Sequence, residues 1–434
     1  MGFLKKITPG FLLDMYHWGL AYLGAVFYGF PSKKLIIIGV TGTKGKTSTA
    51  YFIWRALNSA GMKTGMIGTI SICVGDEEKI NNLHMTMPGR FIIQKNLHRM
   101  LEGGCLAAVI ETTSEGIKQW RHKGIVYDIA VFTNLTPEHI PSHGSFENYR
   151  AMKQKVFQEL SSSFQKTVSH RKIPKIIVAN VDSAEAPHFL KFASDQKITF
   201  GLSRGADIRA ENVIEKDLGV EFKIKNQNIK LALLGKFNAL NALPAVIIGE
   251  IFKLEQRKII EGIQGLSKIP GRMEIVQKTP FMVVVDFSYE RESMTAALKS
   301  GRELLKKGSR LIVLLGAPGG GRDKSHRPIM GQIAAQMADL MVVSTDEPYN
   351  DDPLQIINDI SEAATEAGKR EGINLFRIPD RREGIQRALS LAKPGDVVII
   401  SGMGALQVRM IGNKAVPWDD RTVVREELAK IKLG

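Results

Sequence analysis

The sequence predicts an α/β fold of two successive units, each a mainly parallel β-sheet flanked by helices. Three observations carry this expectation. Short apolar runs alternate with helical patterns from residue 35 onward. The runs are bounded by turn or polar residues, as strands buried within a parallel sheet are. A junction, Ile269-Pro270-Gly271-Arg272, then separates one such series from a second.

The elements follow in order. Residues 1–34 form an apolar N-terminal segment, in which Met15 to Ser32 holds no Asp, Glu, Lys or Arg but includes His17, glycines and a closing proline. That run is borderline for a span of about 20 apolar residues. It lacks a small-residue cleavage site, which argues against a signal peptide. Lys5, Lys6, Lys33 and Lys34 flank it. Two readings stay open: a helix packed on the next domain, or an interfacial helix touching an anionic membrane. Residues 35–270 form the first domain. Its expected strands are LIIIGV, AAVIET, DIAVFTN and KIIVAN, and its helices include TSTAYFIWRALNSAG and ENYRAMKQKVFQELSSS. Residues 205–232 read as a small antiparallel ribbon appended to it, and KFNALNALPAVIIGEIFKL through GIQGLS as helices. Residues 271–434 form a second, Rossmann-like domain with strands FMVVVDFS, RLIVLLGA, LMVVSTDE and DVVIISG. Ligands in such folds gather at the carboxyl ends of the strands. A cleft between the two domains is therefore the expected site.

Composition narrows the function. At 44% hydrophobic and 24% charged residues, the chain has what a full core needs, which excludes wholesale disorder. Two cysteines, Cys73 and Cys105, make neither a disulfide framework nor a metal pair. The formal charge of +15 is spread along the chain without a basic block. That argues against nucleic acid and fits an enzyme of anionic small molecules.

The stretch GVTGTKGKTS, Gly39 to Ser48, follows the first strand and opens a helix. A strict phosphate loop reads GxxxxGK[ST], and the first glycine is here Val40. Gly42, Thr43, Gly45, Lys46, Thr47 and Ser48 remain. Backbone N–H groups at a helix start cradle phosphate. Lys46 would reach the β- and γ-phosphates, and the Thr47 hydroxyl a magnesium ion.

The loop TGTKGKTS resembles that of the Mur ligase superfamily, and the likeness extends well beyond it. FTNLTPEHIPSHGSFENYRAMKQKVF, LLGKFNALNALPAV, PGRMEIV, VVVDFSYERESM, GGGRDKSHRPIMGQIAAQMAD and PWDDRTVVREEL follow in that family's order. They cover roughly residues 35–430 and look most like enzymes that add the third residue to a muramoyl dipeptide. The resemblance implies a central P-loop ATPase domain, ATP, Mg²⁺, a cytoplasmic location and amide formation through an acyl phosphate. It implies a carboxylate acceptor, a muramoyl peptide or a related molecule, and a free amino acid. Thr47 and Glu111 match the first magnesium site, although Glu111 also reads as a plain strand-end charge. His139 matches a ligand of a second magnesium. Lys153 matches a lysine carbamylated by CO₂, and otherwise reads as a solvated helix lysine. With Lys46, these are the expected catalytic and metal-binding residues. Asn238 and Asn241 match adenine contacts, Arg272 a phosphate contact and Asp286 a ribose contact.

The chain also departs from the family pattern. Asp286-Phe287-Ser288-Tyr289 stands where the family reads D-Y-A-H. Thr86-Met87-Pro88 resembles the acceptor segment T-T-P, while Thr112, Thr113 and Ser114 replace V-S-S. Thr86, Pro88, Thr113 and Ser114 are thus expected acceptor contacts, with loop capping the other reading of the last two. Asp346-Glu347-Pro348-Tyr349 replaces D-N-P-R, and Gly402-Met403-Gly404-Ala405-Leu406 replaces G-K-G-H-E. An arginine for a distal carboxylate and an acid for a distal ammonium are both lost, which disfavours diaminopimelate. Arg322 is kept for an α-carboxylate. Arg322, Asp346, Glu347, Tyr349 and Gly402 are the expected amino-acid contacts. A neutral distal group fits, with lysine left open.

About 34 residues precede the loop strand, too few for the family's UDP-holding domain. Either UDP is held differently or the acceptor lacks it, and a lipid-linked acceptor would suit the apolar segment. Two further readings remain open. One is a Mur-like ligase of another pathway, such as polyglutamylation of a small molecule. The other is a regulatory nucleotide-binding module, favoured by Tyr289, Met403 and Ala405 but opposed by the residues of two metal sites.

Overall fold

A computed structural model describes residues 10–431 apart from residues 84 and 139. The chain divides into two compact units. The first holds residues up to Ile214, with Glu221–Leu231 and Phe237–Leu266; the second holds Glu215–Val220, Ala232–Lys236 and the chain from Ser267.

In the first unit the expected apolar runs are strands β1 Ile36–Thr41, β5 Ala107–Glu111, β6 Ile129–Phe132 and β9 Ile176–Asn180. All four are wholly buried, the pattern of strands covered on both faces. The shorter strands are β2 Thr64–Ile67, β3 Ser71–Val74, β4 Glu77–Ile80, β10 Gln196–Gly201, β11 Ile208–Lys216, β12 Gly219–Ile224 and β13 Gln227–Leu231. Together they form one eleven-stranded sheet in the order β13-β12-β11-β10-β9-β6-β1-β5-β2-β3-β4. Every pairing from β11 through β2 is parallel. At one edge β3 and β4 turn back antiparallel. A two-stranded ribbon, β7 Thr167–Val168 with β8 Arg171–Lys172, stands apart.

Residues 205–232 supply the expected ribbon: β11, β12 and β13 are neighbours joined by two-residue connections, which antiparallel strands allow and parallel ones do not, and together they extend the main sheet. β11 pairs parallel with β10 and carries the main sheet onward. Its exposed positions alternate with covered ones, because only one face of this edge is packed.

The N-terminal segment is a helix, Gly10–Phe27, which packs on the helix Arg90–Glu102. It does so through small residues. Ala21 and Ala25 are buried, and a Cβ on Gly24 would lie 3.4 Å from the Phe91 backbone. Among the described residues no helix is long and apolar enough to cross a membrane.

The second unit holds β14 Glu274–Gln277, β15 Met282–Asp286, β16 Leu311–Leu315, β17 Leu340–Val343, β18 Leu375–Arg377 and β19 Val397–Ser401. Their order is β14-β15-β19-β16-β17-β18, parallel except for β14. A hairpin follows, β20 Val408–Ile411 with β21 Lys414–Pro417. Apolar clusters fill both faces of the sheet, with Val313 and Ile399 in one and Leu314 and Ile400 in the other. This is the doubly wound arrangement that the alternating pattern predicts.

Candidate active site

In the first unit the expected residues converge at the carboxyl ends of β1, β5 and β6. β1 lies between the other two, so the loop after it is framed on both sides. The chain turns through Gly42 to Gly45, and the helix Lys46–Ser59 begins. Gly45 has φ of +81°, and a Cβ there would fall 2.4 Å from Asn241 Oδ1. Only glycine meets both conditions. Lys46 Nζ donates to the carbonyls of Gly42 and Thr43 at 2.9 and 2.8 Å, so its ammonium lies along the loop. Thr43 Oγ1 accepts from Thr136 N at 3.1 Å and is 3.2 Å from the Tyr149 hydroxyl. Asn134 Oδ1 accepts from Lys44 N at 2.8 Å, and Lys44 pairs with Glu138 at 3.1 Å. Ser48 is buried in the first helical turn. Asn241 Nδ2 donates to Asn238 Oδ1 at 3.1 Å, and both stand on the helix Phe237–Ile251.

Glu111 ends β5 fully buried, so the exposed strand-end reading of it is set aside. Its Oε2 accepts from Thr47 Oγ1 at 2.9 Å, and its Oε1 from Thr69 N at 2.9 Å. The Thr69 hydroxyl lies 3.0 Å from Glu111 Oε2 and 2.9 Å from Thr86 Oγ1. With its single proton on the carboxylate, it accepts from Thr86. One chain of polar contacts thus links the phosphate loop to the expected acceptor segment, where Pro88 is also buried.

Lys153 projects from the helix Phe146–Ser162 and is 2% exposed, which sets aside a solvated lysine. Its Nζ donates to Gly42 O at 2.7 Å and lies 4.7 Å from the Tyr149 ring centre. Burial, then the Lys46 charge, hold its amine well below the usual lysine range, against a smaller upward pull from Glu138.

Thr113 takes the capping role: its Oγ1 accepts from Gly116 N at 3.1 Å and starts the helix Ser114–Lys118. Ser114 Oγ instead stands 3.2 Å from Nε2 of His143, a residue the sequence reading passed over. The His143 ring packs 5.2 Å from that of Tyr149, and burial lowers its pKa. His139 lies outside the described residues.

The second unit gathers the remaining residues at the carboxyl ends of its own strands. The Arg272 guanidinium stacks 4.5 Å over the Phe287 ring, whose edge meets Tyr289. Asp286 Oδ1 accepts from Met273 N at 2.7 Å, and its carbonyl accepts from Gly402 N at 3.1 Å. Arg322 lies 5.6 Å over the Tyr349 ring and 3.6 Å from Glu347 Oε2. Asp346 is buried against Gly402, where a Cβ would come within 2.4 Å of its carboxylate. Burial raises the Asp346 pKa to about 6, with the neighbouring Arg381 pulling it back down. Arg381, also missed in the sequence, is wholly buried. It donates to Asp346 Oδ1 at 2.5 Å and to both oxygens of Asp420 at 2.8 and 2.6 Å.

Comparison with known proteins shows the family of the chain. Residues 40–249 match the Mur ligase middle domain, and residues 271–404 match the Mur ligase, glutamate ligase domain. The UDP-N-acetylmuramoyl-L-alanyl-D-glutamate–2,6-diaminopimelate ligase 1 of Clostridium acetobutylicum is 34% identical over 421 residues, 95% of this chain and 82% of the relative. The chain belongs to the Mur ligase family. A UDP-N-acetylmuramyl-tripeptide synthetase of Roseiflexus sp. is also 34% identical, over 96% of this chain and 82% of its own length. A solved UDP-N-acetylmuramoyl-L-alanyl-D-glutamate–2,6-diaminopimelate ligase covers 91% of this chain and 78% of its own, with a TM-score of 0.60 and 28% identity. The protein is an ATP-dependent amide-forming ligase of the Mur type.

Mur ligases use ATP and Mg²⁺. Magnesium takes oxygen ligands, commonly one or two carboxylates completed by phosphate oxygens and water. Among the described residues no group of three or more His, Cys, Asp or Glu is placed to hold a metal ion. The Thr47 hydroxyl and Glu111 carboxylate, in contact at the loop, fit this sparser donor set. A magnesium held there would offset phosphate charge in the transfer step.

Thr69 is placed to orient Glu111, its hydroxyl on the Oε2 that Thr47 also reaches and its N–H on Oε1. Thr69→Val is expected to lower kcat about tenfold while KM for ATP stays near its wild-type value. Stability should fall by about 1 kcal/mol for the lost hydroxyl contacts. Thr69→Ser should restore kcat. A kcat unchanged by Thr69→Val in steady-state assays would remove this positioning role.

Proposed function

We propose that this ligase joins the carboxylate of a muramoyl-peptide precursor to an amino acid. The observation that supports it most is the convergence of Lys46, Thr47, Glu111 and Lys153 on one loop after β1. A carboxylate oxygen of the acceptor attacks the γ-phosphorus of ATP and ADP leaves, giving an acyl phosphate. The amine of the incoming amino acid attacks the acyl carbon; phosphate leaves and the nitrogen loses a proton. Negative charge accumulates in the first step, and Lys46 supplies a cation beside it. In this reading Lys153 acts as a carbamate. Its depressed pKa favours the neutral amine, the form that adds CO₂ with loss of one proton. The carbamate would be an anion beside the loop, able to serve a second magnesium together with His139. Asn238, Asn241, Arg272 and Asp286 would hold the nucleotide. Thr86, Pro88 and Ser114 would face the acceptor.

Arg322 would take the α-carboxylate of the amino acid, with Asp346, Glu347, Tyr349 and Gly402 shaping the rest of its place. The two relatives above act, by their names, in forming the muramoyl tripeptide, one of them with diaminopimelate. This chain is proposed to share the reaction and to prefer another amino acid. Such a ligase works in the cytoplasm, where its ATP is found.

The test is release of ADP and phosphate with Mg²⁺ and bicarbonate, across a panel of amino acids. Each is offered with UDP-linked and with lipid-linked muramoyl peptides. Release that requires one acceptor and one amino acid is expected, and the pair names the substrates. Tight ATP binding without release in any combination would overturn the muramoyl reading.

A further inference from the structure

We propose that the outer face of the helix Gly10–Phe27 is a docking surface for an anionic lipid bilayer, on which the helix lies in the plane of the headgroups. The proposal stands apart from the reaction and holds whatever acceptor the enzyme takes.

The helix packs inward through Ala21, Gly24 and Ala25. Leu12, Met15, Tyr16, Tyr22, Leu23, Val26 and Phe27 recur at three- and four-residue spacing on the other side. Their exposure runs from 44% at Leu12 to 74% at Phe27, far above that of core residues. At 3.6 residues per turn these positions, with Trp18, sweep about half the circumference. No charged side chain lies in that arc. Asp14 is the only charged residue of the helix, and it accepts from Trp120 Nε1 at 3.0 Å outside the arc. Phe91, itself 40% exposed, extends the surface beside Phe27 with ring centres 6.3 Å apart. A contiguous apolar patch of this size marks an interaction site.

Charge and aromatic content favour a bilayer over a second copy of the chain. Trp18 stacks on Tyr22 at 5.5 Å, and Tyr22 meets Phe30 at 5.6 Å. Such rings, apolar in body and polar at one edge, settle at the headgroup level. Lys33 and Lys34 follow the helix, both exposed, with the Lys33 ammonium 4.1 Å from the Phe30 ring. An apolar face rimmed by cations on a chain of net charge +15 complements an anionic surface. A second copy would bring the same cations and so repel.

The experiment sediments the full chain with vesicles of phosphatidylcholine alone and of phosphatidylcholine with phosphatidylglycerol. Binding to the anionic vesicles is expected, weakening as salt rises. The double change Leu23→Glu with Phe27→Glu should lower partition by about tenfold or more. Lys33→Glu with Lys34→Glu should lower it by a similar factor on the anionic vesicles. All four positions are exposed, so both variants should melt where the wild type does. Three results would overturn the proposal. One is no sedimentation with either vesicle. Another is sedimentation that survives Leu23→Glu with Phe27→Glu. The third is a dimer, dissolved by that pair of changes, in a protein that ignores vesicles.

Discussion

Replacing Lys153 by methionine is expected to abolish turnover while leaving the protein as stable as before, or more so. The two effects separate because the side chain sits where a folded protein gains little from an amine. Lys153 is 2% exposed, and its Nζ donates a hydrogen bond to Gly42 O. Lys46 Nζ reaches the same carbonyl at 2.9 Å, so Gly42 O keeps a donor in the variant. Methionine matches the length of the buried stem and can pack on the Tyr149 ring. Removing a poorly solvated amine is therefore expected to raise stability near neutral pH by about 1 kcal/mol. Activity should fall by about a thousandfold or more if the amine, or the carbamate made from it, acts on the phosphates. The pH dependence follows from the depressed pKa. Between the folded pKa and the unfolded value of about 10.4, the unfolded chain binds one more proton than the folded one. Wild-type stability therefore rises with pH through that window, and the methionine variant lacks this component. Urea denaturation at pH 7 and pH 9, beside single-turnover assays, measures both. A variant that is several kcal/mol less stable, or that still turns over, would contradict the assignment.

The difference between what the sequence revealed and what it hid is one of distance along the chain. Gly42 to Ser48 are consecutive, and strand, turn and helix around them are each local, so the loop was legible. Glu111 was legible because it closes a five-residue apolar strand. Thr69 was not, because its partner Glu111 lies 42 residues on and β2, which aims it, has only four residues. His143 and Arg381 were hidden in the same way: each acquires its partners only when separate loops meet. β4 offers no apolar run, since all of Glu77-Glu78-Lys79-Ile80 is exposed, and β18 has three residues. The edge strands β11 to β13 alternate like a ribbon because one face is open. Their parallel attachment through β10 depends on a pairing that no local pattern encodes.

Diaminopimelate is expected to be used with a kcat/KM at least about a thousandfold below that of the preferred amino acid. Its distal end carries both a carboxylate and an ammonium, and a site must pair each one it buries. Tyr349 stands where the family pattern has an arginine. A phenol offers a carboxylate one hydrogen bond where a guanidinium offers two and a charge. The surroundings make that bond weaker still. Glu347, 2% exposed, lies close enough to help raise the Tyr349 pKa, after burial. A second carboxylate beside it would meet like charge. Arg322 cannot answer both ends, since its fork is committed to the α-carboxylate in the proposed pose. The ammonium fares no better, because Leu406 replaces the acid that would face it. Tyr349→Arg should therefore narrow the gap by about tenfold by restoring one of the two pairs. Tyr349 has φ of +51°, and arginine inherits the same strain, so the gain reads as specificity and not as relief of the backbone. Competition between diaminopimelate, lysine and neutral amino acids in a coupled ADP assay gives the ratios directly. Efficient use of diaminopimelate by the wild type would mean that other groups take over the distal pairing, and the roles given to Tyr349 and Leu406 would fall together.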